Sequence, residues 1–287
     1  MIHFLILLQQ VIASSTHIVA KGLTFGVVPS VVLFYRAAIS CLVYIVWMSF
    51  KRKEIRKIDR KDIKYIIMLG IINIPLNQFL FLNAISMTTA PNVSLAYALT
   101  PAFVFVIAVV FLGERMNMLK TTGIVLAIIG AVILLSEKGF NFTSEGFKGD
   151  LLALSASFAW ALYTILGKKI TRKYGAIYAT TLSMVTGFIF YVPIFFLLPG
   201  ENNLTADLTE MNLLGFLYLG AVTSGIGYAI WYYALTKIDA SKLAVFNNLQ
   251  PVLTAAMAFF IFDTPITLYF ISGAVTVITG VVLTQKG

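Results

Sequence analysis

Charge is scarce in this chain. Only 11% of its 287 residues are Asp, Glu, Lys or Arg, against about a quarter in a soluble domain. So little polar surface cannot cover a soluble protein, so a soluble globular fold is excluded. Cysteine is nearly absent: Cys41 stands alone inside an apolar run, which excludes an intrachain disulfide or a thiolate metal site. Acidic residues are missing from the middle of every apolar run, and Glu114 and Asp150 sit at run ends. Buried carboxylates often serve ion-coupled carriers as relays, so carboxylate-based proton or sodium coupling is not expected. There is no phosphate loop, no catalytic carboxylate pair and no metal-spaced histidine cluster. ATP drive and enzyme chemistry are therefore disfavoured, and no cofactor is expected. Met1-Ile2-His3 lacks the basic start of a signal peptide, so Ile2–Lys21 is read as a retained first span.

Apolar runs are what the chain has in plenty. It is 59% hydrophobic, with a mean hydropathy of +0.91. A membrane span needs about 20 mostly apolar residues. Ten segments qualify: 2–21, 28–50, 64–86, 91–112, 118–136, 149–168, 175–198, 211–236, 241–262 and 266–285. Short connections make neighbouring helices antiparallel and leave no room for a soluble domain. The net charge of +9 lies in the connections, so it reads as membrane orientation and not as nucleic-acid binding. Lys51, Arg52, Lys53, Arg56, Lys57, Arg60, Lys61 and Lys64 follow the second run. Alternation from a cytoplasmic loop there leaves only Lys21, Lys138 and Lys148 in outer connections, with Arg36 inside a run. A multi-pass protein of the cell membrane with both termini cytoplasmic is expected.

The chain repeats itself at a spacing of 150 residues. Leu99-Thr100-Pro101-Ala102 matches Leu249-Gln250-Pro251-Val252, Ala90 matches Ala240, Gly123 matches Gly273 and Gly130 matches Gly280. Each half holds five spans, an odd number, so the halves have opposite topology. The loop charges agree, since Met87–Ala90 is uncharged while its counterpart Lys237–Ala240 is basic. The fold expected is all-α, with ten transmembrane helices from two inverted five-helix repeats, 1–140 and 141–287. Inverted repeats of this kind build carriers with a site near the midplane. A proline within a helix leaves the carbonyl four residues earlier without its partner. Here those carbonyls belong to Tyr97 and Asn247, so Pro101 and Pro251 are candidate hinges.

Ala90 through Pro101, Phe111-Leu112-Gly113-Glu114 and the pair Gly123/Gly130 resemble the drug/metabolite transporter superfamily in its ten-span EamA branch. The second copy keeps Ala240, Pro251, Gly273 and Gly280 but has Asp263-Thr264 where the family often repeats Gly-Glu. Lys21, and Lys168 or Lys169, look like the family's span-closing lysine. The resemblance implies a carrier with a central cavity, often exporting amino acids, drugs or other small metabolites. It does not fix the substrate.

Polar and aromatic residues inside the spans are the candidate ligand contacts. Gln10, Ser14, His17 and Lys21 share one face of span one. That face is either a cavity wall or a seam of interhelical hydrogen bonds. His17 is an interior hydrogen-bonding residue or a proton carrier. Asn73, Asn77 and Gln78 of span three offer amides without charge, and their counterparts Thr223, Gly227 and Tyr228 differ, so the cavity is expected to be asymmetric. Trp160 and Tyr163 lie mid-span. Tyr97, Asn247 and Asn248 cluster near the prolines with Asn92 and Gln250. Arg36 either holds an anionic group such as a carboxylate or bonds helix-end carbonyls. The substrate-contact set is thus Ser14, His17, Arg36, Asn77, Gln78, Tyr97, Trp160, Tyr163, Tyr228, Asn247 and Asn248. The function expected is export of small polar or amphipathic metabolites, with the lipid bilayer and a small-molecule substrate as partners. A monomer and a homodimer both remain open. A non-transporting scaffold or receptor, or a membrane-embedded enzyme, are the alternatives.

Overall fold

The computed structural model describes residues 2–52, 55–112, 117–136, 144–198, 203–204 and 208–286. Its described residues form ten helical units: α1 Ile2–Leu23, α2 Pro29–Phe50, α3 Arg60–Met87, α4 in two pieces Ala90–Ala98 and Thr100–Leu112, α5 Met118–Ser136, α6 Glu145–Tyr174, α7 Ala176–Leu197, α8 Glu210–Lys237, α9 in three pieces Ala240–Ala244, Val245–Leu249 and Gln250–Phe262, and α10 Leu268–Lys286. Each expected run therefore became one unit. Eight are long and apolar enough to cross a membrane, and Met118–Ile133 and Leu268–Leu283 are shorter apolar helices. The boundary expected at 140/141 and the Gly113-Glu114 motif lie outside the described residues.

The packing pairs the halves about a pseudo-two-fold relation. If α1 corresponds to α6, α2 to α7 and so on, the self-pairs α2–α7, α4–α9 and α5–α10 all pack together. The three largest remaining contacts between halves have their counterparts. Helix α3 packs on α7 as α8 packs on α2, α3 on α6 as α8 on α1, and α1 on α9 as α6 on α4.

The tightest of these pairs shows why matched glycines occur. A Cβ on Gly130 would come within 2.8 Å of Val277 N and 2.9 Å of Gly273 O. A Cβ on Gly280 would come within 2.5 Å of both Ala127 N and Gly123 O. The two neighbour sets are each other's repeat mates, so one close backbone approach is made twice. Between apolar helices in lipid, such close approach of backbones supplies much of the packing attraction.

Two features of the helices were not read from the sequence. Ile72–Gln78 in α3 and Tyr218–Gly227 in α8 are π-helical, and they overlap under the 150-residue shift. Pro75 lies inside the first and Gly220, Gly225 and Gly227 inside the second. Proline and glycine both weaken the regular ladder, and π segments often sit at functional sites. At the ends of α3 and α6, Lys173 donates to both Asp59 and Asp62, and Tyr174 OH donates to Asp62 at 2.8 Å.

Candidate functional site

A cavity lies between the halves, near the middle of most of the helices that line it. Its wall is Gln9, Ile12, Ala13, Thr16 and His17 of α1, Arg36 of α2, Asn77, Gln78 and Phe81 of α3, and Tyr97 of α4. Trp160 of α6, Thr223, Gly227 and Tyr228 of α8, and Asn247 and Gln250 of α9 complete it. The space not filled by atoms is about 540 Å³, which includes open solvent.

The broken helices bring their polar residues to this wall. In α9 the Gln250 N–H bonds the Asn247 carbonyl, a three-residue bond that tightens the chain into a 3₁₀ turn. The turn directs Asn247 and Gln250 into an amide network with α1. Gln250 Nε2 donates to Gln10 Oε1 at 2.9 Å and to Asn247 Oδ1 at 3.2 Å, and Gln10 Nε2 donates to Gln9 Oε1 at 2.7 Å. In α4 the Thr100 hydroxyl donates to the Tyr97 carbonyl at 2.6 Å, so the acceptor deprived by Pro101 is satisfied. Tyr97 OH receives a bond from Asn77 Nδ2 at 2.9 Å, and the same nitrogen donates to Ala156 O at 2.7 Å. Asn77 thereby braces three helices.

Rings form the apolar part of the wall. The His17 ring meets Phe81 edge-on at 5.3 Å and Tyr97 at 5.8 Å. Trp160 meets Tyr228 at 5.1 Å. His17 Nδ1 contacts Ala13 O at 2.8 Å. A carbonyl only accepts, so Nδ1 carries a proton and Nε2 of the neutral ring is an acceptor. Arg36 is 3% exposed, its Nε donates to Ser224 Oγ at 2.8 Å, and its guanidinium lies 5.8 Å from the Phe81 ring.

Of the expected contacts, His17, Arg36, Asn77, Gln78, Tyr97, Trp160, Tyr228 and Asn247 are brought together on this wall. Ser14, Tyr163 and Asn248 are not. The lining arc of α1 runs through Gln9, Ala13 and Thr16, and Ser14 lies past its edge, donating to Gln10 O at 2.8 Å. Tyr163 stands behind Trp160 and shares a 2.6 Å hydrogen bond with Ser183 Oγ. Asn248 is half-buried and off the wall. Asn92 lies elsewhere too, where its Nδ2 and the Thr88 hydroxyl donate to Asp150 Oδ1 at 3.3 and 2.6 Å. Gln9, Thr16, Phe81 and Thr223 were missed. Thr16 and Thr223 hydrogen-bond across α1 and α8 at 3.2 Å, a pairing that no local pattern announces.

Among the described residues, ten helices paired about a pseudo-two-fold, with a polar and aromatic cavity between the halves, define the class of an inverted-repeat membrane carrier. The family model described as the EamA-like transporter family matches residues 1–136 and 147–285. The chain belongs to that family, and is therefore a multi-pass membrane transporter. It is 30% identical to an uncharacterized transporter of Archaeoglobus fulgidus over 98% of this chain and 96% of that one. It is 29% identical to the uncharacterized transporter YyaM of Bacillus subtilis, over 88% of this chain and 81% of that one. A protein of Escherichia coli K12, named "Probable amino-acid metabolite efflux pump", is 29% identical over 61% of this chain and 60% of that one. A solved crystal structure shares the fold, with a TM-score of 0.71, 17% identity and coverage of 98% of this chain and 96% of that one.

Proposed function

We propose that the protein exports small polar or amphipathic metabolites, in the range of amino acids and drugs, by alternating access around the central cavity. The observation that carries this is the composition of the wall, in which both halves contribute amides and rings to one space. A rocking of one half against the other would expose that space to each side in turn, with the breaks at Pro101 and Pro251 as hinges. The efflux named for the Escherichia coli relative supports export. The basic connections support a cell-membrane orientation with both termini cytoplasmic, and the two family matches support repeats divided near 140/141. The substrate contacts on this reading are the eight expected residues on the wall, joined by Gln9, Thr16 and Gln250.

The test is counterflow in proteoliposomes, with amino acids and small amphipathic acids as labelled probes. Wild-type protein should accumulate at least one probe against an internal pool. Asn247→Ala should slow that accumulation about fivefold to tenfold, the equivalent of one lost hydrogen bond. Absence of counterflow for every probe, from protein that still unfolds cooperatively, would favour a scaffold or receptor.

A further inference from the structure

A buried charge in the cavity is not accounted for by its protein surroundings. The Arg36 guanidinium is buried, and its Nη1 has no hydrogen-bond partner among the described residues. Among the described residues its side-chain hydrogen bond is to the neutral Ser224 hydroxyl. Among the described residues the cavity wall includes no Asp or Glu, and the ion pairs, Lys168 and Arg172 with Asp239 and Lys173 with Asp59 and Asp62, involve other cations. A buried cation is costly unless it is paired and hydrogen-bonded. Three further polar atoms on the wall lack partners among the described residues: Asn247 Nδ2, a donor, and Gln78 Oε1 and His17 Nε2, both acceptors.

We infer that the cavity selects organic anions, a single carboxylate on an apolar or aromatic body with no ammonium group to balance it. The inference rests on the proposed transport reading and narrows it, setting zwitterionic amino acids outside the preferred class. A carboxylate matches the planar guanidinium in shape and charge. Trp160 and Tyr228 supply an apolar surface for the body, Asn247 Nδ2 supplies a neutral donor, and Gln78 Oε1 and His17 Nε2 are free to accept from a hydroxyl on that body. A zwitterion would bring an ammonium into a site that already holds an unbalanced cation and offers it neutral acceptors, Gln78 Oε1 and His17 Nε2, but no carboxylate among the described wall residues. The site as a whole is therefore complementary to a net charge of minus one.

Four probes with one ring and different charges test this: phenylacetate, phenylalanine, phenethylamine and 2-phenylethanol. Each is titrated against the purified full chain by thermal unfolding at fixed ionic strength, with chloride as an inorganic arm, and the charged probes are then run in counterflow. Phenylacetate should half-saturate at least ~tenfold lower than phenylalanine or phenethylamine, as one well-formed charged hydrogen-bond pair requires. Arg36→Gln should erase that preference. Should this variant not fold, Asn247→Asp gives a second reading. Asn247 Oδ1 already accepts from Gln10 and Gln250, while the Nδ2 to be replaced has no partner. Asn247→Asp thus adds a carboxylate at small structural cost and should move the preference toward phenylalanine. Equal or tighter binding of phenylalanine to wild type would overturn the inference, as would a preference unchanged in Arg36→Gln. Chloride alone giving all the stabilisation seen with phenylacetate would also overturn it, and would make Arg36 a structural anion site. Anion-selective binding without counterflow would instead sink the transport reading and leave the charge assignment standing.

Discussion

Helices α4 and α9 hold matched prolines, yet their breaks differ. In α4 the interruption is one residue, Leu99, between Ala90–Ala98 and Thr100–Leu112. In α9 it is five residues of 3₁₀ helix, Val245–Leu249. The residue before each proline accounts for the difference. Thr100 has a hydroxyl that reaches back to the Tyr97 carbonyl, and the chain resumes its α-turn at once. Gln250 sends its side chain into the amide network with Gln10 and Asn247, and it is the backbone N–H that takes the Asn247 carbonyl. One repeated pattern thus gives a braced tyrosine on one side of the cavity and a polar turn on the other. Symmetric backbones need not make a symmetric site.

The largest effect should come where symmetry is closest. Gly130→Ala and Gly280→Ala each force a Cβ against backbone of the partner helix. Each should cost about 1–3 kcal/mol or more of stability by overpacking, read as the fall in unfolding temperature in detergent. The two losses should be similar, because the neighbours are repeat mates. A loss in only one would show that α5 and α10 do not contribute as equals.

The prolines should then separate the halves. Pro251→Ala restores an N–H able to bond the Asn247 carbonyl in α-geometry, which would rewind the 3₁₀ turn and withdraw Asn247 and Gln250 from the wall. Pro101→Ala meets a carbonyl already held by Thr100, in a helix broken at one residue. Counterflow rates should fall about tenfold for Pro251→Ala, roughly 1.4 kcal/mol in the barrier, and by a smaller factor for Pro101→Ala. In Pro101→Ala the rate should fall more than probe binding, whereas Pro251→Ala, which withdraws two wall residues, should lower both. Equal rates in wild type and both variants would remove the hinge assignment.

Much of the fold was legible because spans are written in long apolar runs, and the repeat and loop charges were independent readings of one topology. The cavity was legible where polarity is out of place: Arg36, Asn77, Gln78 and Asn247 are conspicuous inside apolar helices. It was illegible where rotation about a helix axis decides. Gln9 and Gln10 are adjacent and chemically identical, and the stripe of Gln10, Ser14, His17 and Lys21 reads from sequence as either wall or helix seam; of it His17 lines the cavity, beside Gln9, Ala13 and Thr16. Ser14 could turn its hydroxyl to its own helix backbone, which membrane serines do without any ligand. Tyr163 and Trp160 are three residues apart, but only packing against Ser183 shows which ring lies behind the other. The π-helical segments widen these turns and shift side-chain phase, and only Pro75 and the glycines of α8 signalled them.

The smallest expected effects concern how the two broken helices begin. Thr89 and Asp239 are repeat mates and both are N-cap residues. Thr89 Oγ1 accepts from Asn92 N at 3.3 Å, whereas Asp239 makes no capping bond. Its carboxylate turns to Lys168 Nζ at 2.7 Å, with Arg172 at 3.8 Å. Thr89→Ala should therefore lose about 1 kcal/mol of cap energy, independent of pH. Asp239→Asn should lose less, under about 0.5 kcal/mol, because the pair is exposed and screened. That loss should depend on pH in a defined direction. The hydrogen bond from Lys168, then its charge, holds the Asp239 carboxyl below the usual aspartate range. A group lowered on folding stabilises the fold above its unfolded value, about 3.9 for aspartate, and ceases to do so as pH falls through the lowered folded value. Unfolding temperatures in detergent should show a constant gap between wild type and Asp239→Asn from pH 7 to pH 5. The gap should close in more acid solution, while the gap to Thr89→Ala stays open. A gap for Asp239→Asn that persists below the unfolded value would mean that its side chain acts as a cap after all, and that the two helix starts are more alike than their bonding shows.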